Sequence, residues 1–195
     1  MADIELPNHE ELIELKSENF TKRVALVTAI FAVMLAITSL GGNNAMKGML
    51  LAQQQSSDQW AFYQSKVMRE HLYRTAKAQQ EAALLERGRT MSKEARTHYE
   101  KLLTGYGKEE ARYGTEKAAI EREAKRLEAE RDINNSKDPY FDYAEVLLQI
   151  AIVMSSISIL AHSRRVFSFA VGAAVLGSIC SLNGYLLLFR LPFLH

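Results

Sequence analysis

Val24-Ala25-Leu26-Val27-Thr28-Ala29-Ile30-Phe31-Ala32-Val33-Met34-Leu35-Ala36-Ile37-Thr38-Ser39-Leu40-Gly41-Gly42-Asn43 is the stretch that decides the fold. No charge interrupts it, and the nearest charges on either side are Arg23 and Lys47. A bilayer's hydrocarbon core takes about 20 apolar residues per helix. In lipid each backbone N–H and C=O must be satisfied within the segment, which leaves an α-helix for a single run. Residues 24–43 therefore read as transmembrane helix 1.

Two more charge-free windows follow, between Glu145 and Arg164 and between Arg165 and Arg190. The charges crowd into the stretch between Lys47 and Glu145. The average composition, 48% hydrophobic and 24% charged, hides this segregation. The expected fold is all-α: an integral membrane protein with three transmembrane helices and a long extramembrane helical hairpin between spans one and two. Four segments are expected: a short acidic cytoplasmic leader (1–23), transmembrane helix 1 (24–43), the hairpin (44–138), and the transmembrane pair 2 and 3 (139–195).

The leader carries Asp3, Glu5, Glu10, Glu11, Glu14 and Glu18 where a secretory signal would be basic, so the first span reads as a retained anchor. Pro7 and Asn8 offer a helix start. Gly41-Gly42-Asn43-Asn44 could end the first helix. Met46, Met49, Leu50 and Leu51 resume a helical pattern, so the helix is expected to run on, with a kink allowed at the glycines.

Residues from Lys47 to Asn135 are rich in strong helix formers. A break is expected at Arg87-Gly88-Arg89-Thr90-Met91, with Ser92 capping the next helix. The return arm carries a heptad line, Tyr99, Tyr106, Tyr113, Ile120 and Leu127. The second line of a coiled coil is weak: Leu102 is followed by Glu109, Glu116 and Glu123. This narrow seam suits one neighbouring helix, either the outgoing arm or another subunit. Gly105, Gly107 and Gly114 weaken the arm and leave room for a bend. Asn134-Asn135-Ser136-Lys137-Asp138-Pro139 reads as a turn, with Asp138 capping and Pro139 opening the next helix. Tyr140, Phe141 and Tyr143 then sit where interfacial aromatics accumulate. The second span is expected from Val146 to Ala161 and the third from Val166 to Phe189, joined by His162-Ser163-Arg164-Arg165.

Lys16, Lys22, Arg23, Arg164 and Arg165 flank one side of the spans, against Lys47 and Arg190 on the other. The positive-inside rule places the N-terminus in the cytoplasm and the hairpin and C-terminus outside. That makes the chain a multi-pass protein of a bacterial inner (cytoplasmic) membrane.

The candidate sites are few. Ser57-Asp58-Gln59-Trp60-Ala61-Phe62-Tyr63-Gln64-Ser65-Lys66 is the densest run of specific chemistry and holds the sole tryptophan. Trp60, Tyr63 and Val67 share a helical face. It serves either as a contact for another subunit or as the packed root of the hairpin. In span three, Ala173, Gly177 and Ser181 lie four apart, as small residues do where helix backbones approach, with Ala170 and Gly184 extending the series. They could serve the partner span or another subunit. Gln149, Asn183, Asn43 and Asn44 are the amides in or near the spans.

No Asp, Glu, Lys or Arg lies deep in a span, unlike a proton-coupled transporter. His9, His71, His98, His162 and His195 show no ligand spacing, and Cys180 is alone, so no metal and no cofactor is expected. The hairpin carboxylates alternate with Lys and Arg, as on a solvated helix surface. The net charge of +1 leaves no nucleic-acid footprint. The chain reads as a non-enzyme.

Asn43-Asn44-Ala45, the Ser57 to Lys66 stretch and the paired spans from Val146 to Phe189 resemble an uncharacterised family of bacterial membrane proteins, a domain-of-unknown-function family. The resemblance implies a bacterial membrane protein and marks Asn43 to Lys66, with Asn43, Asn44, Ser57, Asp58, Gln59, Trp60, Phe62, Tyr63, Gln64 and Lys66, as the segment of interest. The expected function is a membrane scaffold or accessory subunit that self-associates or docks on a larger membrane complex. The alternative is a homo-oligomeric channel. The expected partners are the lipid bilayer and either further copies or a larger complex.

Overall fold

The computed structural model describes residues 9–189, with side chains from residue 17 onward. The Pro7-Asn8 helix start and the Arg190-Leu191-Pro192 end lie outside the described residues. Three helices make up the fold: α1 (His9–Arg87), α2 (Lys93–Leu160) and α3 (Arg164–Leu186). Each is long and apolar enough to cross a membrane, with an 18-residue window of mean hydropathy 2.3 in α1 and 1.8 in α2 and α3. Two compact units form, one from Met1–Gly48 with Ile133–His195 and one from Met49–Asp132.

The first unit is a three-helix cluster. In α1 the inward positions recur every seventh residue: Val24, Phe31, Thr38 and Ala45 are all buried. In α2 two such lines run together, Phe141-Leu148-Ser155 and Ala144-Ala151-Ser158. A seven-residue repeat keeps one face of a helix turned to its neighbour, as in a coiled coil. The core cluster joins Phe31, Leu148, Ala151, Ala173 and Ala174, with Val27, Met34, Leu35, Ile152 and Val171 around it. Most other buried positions are small or hydroxylated. Thr38 Oγ1 and Ser181 Oγ are 2.9 Å apart, tying α1 to α3.

Three boundaries differ from the sequence expectation. The helix is unbroken through Asn134–Asp138, and Pro139 lies inside α2. Proline removes one backbone donor and ordinarily breaks a helix. Here packing outweighs that preference. Tyr140 and Phe141 beside it are 4% and 2% exposed, and Asn134 lies close over Gly48. Asp138 therefore caps no helix start. The link between α2 and α3 is shorter than expected, because Arg164 and Arg165 are already helical. Its turn, Ala161-His162-Ser163, puts His162 in the left-handed region at φ 46°. Finally α3 stops at Leu186, short of Phe189. Leu187 turns left-handed, and its N–H donates to Asn183 O at 2.7 Å. The Asn183 amide closes the end, accepting from Phe189 N–H at 2.9 Å and donating to Phe189 O at 2.8 Å. Tyr140 Oη donates to the same carbonyl. Asn183, one of the amides noted in the spans, is thus a C-terminal clamp.

The glycines at Gly41-Gly42 do not end α1. The break at Gly88–Met91 falls where expected. Ala95 N–H donates to Ser92 Oγ at 3.2 Å, so Ser92 caps α2. Gly88 is required there, since a Cβ would meet Leu84 O at 2.3 Å.

The second unit is an antiparallel helix pair. Ser56 Oγ reaches Ala124 O, Lys66 pairs with Glu116, and Arg74 pairs with Glu110. As one number rises its partner falls, the signature of two helices running in opposite directions.

Candidate functional site

Helical periodicity divides the Ser57–Lys66 stretch into two faces. Trp60, Tyr63 and Lys66, together with buried Ser56, turn towards α2. Trp60 donates its indole N–H to Glu128 Oε1 at 2.8 Å and stands edge-on to Tyr63, with ring centroids 5.4 Å apart. Ser57, Asp58, Ala61, Phe62, Gln64 and Ser65 are exposed, and Gln59 is half-buried. Phe62 keeps 49% of its surface open.

Beyond Trp60 a ladder of ion pairs joins the two arms. Lys66 Nζ bonds Glu116 Oε2 at 2.5 Å and lies 5.0 Å from the Phe62 ring and 5.3 Å from the Tyr113 ring. Glu70, only 7% exposed, is held between Arg74 and Lys117. Arg74 and Lys77 both reach Glu110. The Lys66 ammonium holds the Glu116 carboxyl below the ordinary glutamate range, and the Arg74 guanidinium does the same for Glu110. Burying Glu70 would cost several kcal/mol without partners, so its two cations are what make the site viable.

These carboxylates correct the expectation of a merely solvated surface. Glu70, Glu110 and Glu116 pair across the two arms, but of the second heptad line only Glu116 does so, since Glu109 and Glu123 pair along their own helix with Arg112 and Arg126. The available signal was the placement of Glu116 on that line beside Tyr113.

Along the return arm, Tyr113 and Leu127 are buried, and Tyr99, Tyr106 and Ile120 are half-buried. Tyr73 stacks on Tyr113 at 5.7 Å and leans against Tyr106 at 6.0 Å. Arg112 also lies over the Tyr113 ring, at 4.8 Å. The seam therefore packs on the outgoing arm within the chain. Gly105, Gly107 and Gly114 stay helical, and a Cβ on any of them would meet nothing within 4 Å.

In the first unit, Asn43 and Asn44 are exposed. Asn44 borders a small cleft with Asn134, Lys137 and Tyr185. The Ala173-Gly177-Ser181 face is used inside the chain. Ala173 joins the core cluster, a Cβ on Gly177 would lie 3.1 Å from Ala144 O, and Ser181 meets Thr38. Phe141, read from sequence as an interfacial aromatic, is a wedge. A Cβ on Gly41 would come within 2.6 Å of its ring, and one on Gly184 within 3.0 Å. Tyr185 stands edge-on to it at 4.9 Å and donates its hydroxyl to Ile37 O. Among the described residues no group of three His, Cys, Asp or Glu could hold a metal ion. The arrangement is one of interlocked rings and ion pairs, suited to holding helices in register.

A family model described as "Domain of unknown function (DUF4337)" matches residues 20–187. No curated protein and no solved structure matches the chain. The matched span takes in the three apolar segments, the Ser57–Lys66 stretch and the whole ion-pair ladder, so the chain belongs to the DUF4337 family.

Proposed function

We propose that this chain is a non-enzymatic membrane scaffold or accessory subunit, anchored by three spans and associating through them and through its helix pair. The supporting observation is the inverted packing of the first unit. Thr38, Ser155, Ser158 and Ser181 are buried, while Leu26, Val33, Ile37 and Leu40 of α1 are more than half exposed. The same holds for Val146 and Val153 of α2 and Val175, Leu176, Ile179 and Leu182 of α3. Only 22–28% of each apolar window is buried. In water such a surface far exceeds the apolar patch of a typical monomer. Against lipid tails it costs nothing, and small and hydroxylated residues are what membrane helices place at their contacts.

Lys22, Arg23, Arg164 and Arg165 flank one end of these helices, which favours the N-terminus in the cytoplasm and residues 44–138 outside. The setting is then a bacterial inner membrane, with the bilayer and either further copies or a larger complex as partners. The channel alternative draws on Asn43 and Asn44. Its third amide, Asn183, is occupied by the Phe189 backbone.

The test is alkaline carbonate extraction of membranes from expressing cells, followed by mass measurement of the detergent-solubilised protein. Retention in the membrane pellet, with a defined small assembly or co-purification with one large complex, is the expected result. Release into the supernatant sinks the anchor, and a ring of many copies that conducts ions in liposomes turns the reading to a channel.

A further inference from the structure

A cleft lies in the first unit, where the start of α3 meets the early turns of α1. It holds about 490 Å³ and is lined by Arg23, Arg164, Asn19 and Ser168 above Phe20 and Phe167. The two phenylalanines pack edge-on at 6.1 Å and form an apolar floor. Among the described residues no carboxylate lines the cleft. Glu18, next to Asn19 in sequence, is held by Lys22 at 2.7 Å. Among the described residues neither Arg23 nor Arg164 has a carboxylate partner. Arg164 also opens α3, whose cap residue Ser163 makes no side-chain cap bond, so the free N–H groups of the first turn add to the positive potential. Arg23 and Arg164 each border a charge-free window, which puts both guanidinium groups at the edge of the apolar belt.

The geometry points to a binding site for the phosphate of an anionic phospholipid headgroup. Arginine suits this role because its planar fork pairs with two phosphate oxygens at once. Asn19 and the Ser168 hydroxyl supply neutral polar contacts, and the Phe20–Phe167 floor suits the glycerol and first methylenes of the acyl chains. Basic pockets between membrane helices on the cytoplasmic side are suited to such headgroups. The inference rests on the membrane reading proposed above.

The full chain, reconstituted in nanodiscs of mixed phosphatidylglycerol and phosphatidylcholine, is extracted and weighed by native mass spectrometry. Wild type is expected to retain phosphatidylglycerol. Loss of one arginine is expected to weaken retention about five-fold, and R23Q/R164Q about thirty-fold. R165Q removes the same charge from a residue that does not line the cleft, and it is expected to behave as wild type. Equal retention by R23Q/R164Q, or an equal loss in R165Q, overturns the site. Displacement of the lipid by millimolar inorganic phosphate overturns the lipid assignment. Carbonate extraction of the same variants separates the outcomes, because a protein that stays in the membrane while losing selectivity leaves the anchor standing.

Discussion

Trp60 donates to Glu128 at 2.8 Å across 68 residues of sequence, fixing the register of the two arms at the base of the second unit. The bond is partly buried and its acceptor is a carboxylate, a combination worth about 1.5–3 kcal/mol. W60F keeps the ring and loses the donor. It is expected to lower the stability of the detergent-solubilised chain by about that amount, read from denaturant unfolding of the helical signal. In a double-mutant cycle with E128A, which removes the acceptor, the two losses should be clearly less than additive. Full additivity would deny the bond.

Acid should loosen the helix pair. The Glu110, Glu116 and Glu123 carboxyls are held below the ordinary range by Arg74, Lys66 and Arg126 respectively. A depressed folded pKa contributes stability that is complete above the unfolded value, about 4.3 for glutamate, and is lost as pH falls through the folded value. The melting temperature is expected to hold between neutral and mildly acidic pH and to fall below the carboxylate range. E116Q should lower the neutral plateau and shrink the acid loss. Asp138 works in the opposite direction, since its burial and the nearby Asp142 raise its pKa. A melting temperature that rises on acidification would mean that groups of this second kind dominate.

Gly105, Gly107 and Gly114 are helical, with open space where a Cβ would stand. Alanine is better than glycine in a helix interior by roughly 0.8–1 kcal/mol. Each Gly→Ala change is expected to raise the melting temperature, and the three together should add nearly in full. Any loss would mean that this arm needs its glycines for a bent state.

Gly41 should behave in the reverse sense. Its Cβ would lie 2.6 Å from Phe141 Cε1 and from Tyr185 Oη. Overpacking of this kind costs typically 1–3 kcal/mol. G41A is expected to destabilise the solubilised protein, while G172A, with nothing within 4 Å, is expected to be neutral or stabilising. Equal effects at the two sites would show that Phe141 swings aside freely.

The parts legible in sequence were those encoded locally. A charge-free run announces its helix without reference to any partner, and Ser92 announces its cap within three residues. Two features were not legible. Pro139 looked like a start because its local preference is strong, and only the burial of Tyr140 and Phe141 overrides it. The pairing of Lys66 with Glu116, or of Glu70 with Lys117, depends on register across some 50 residues. Alternating charges permit several registers, so composition alone could not select one. The Trp60 stretch was marked by its chemistry and its face by helical spacing, and the second helix shows that this face packs within the chain.

The wedge of Phe141 between Gly41 and Gly184 has an evolutionary consequence. These three positions, far apart in the chain, share one fixed volume. A side chain at 184 needs the ring to give way and one at 41 needs both that ring and Tyr185 to do so, while a smaller side chain at 141 would leave a void that a larger residue at 184 could fill. Across related chains the three should drift as a set, with size at one position compensated at another.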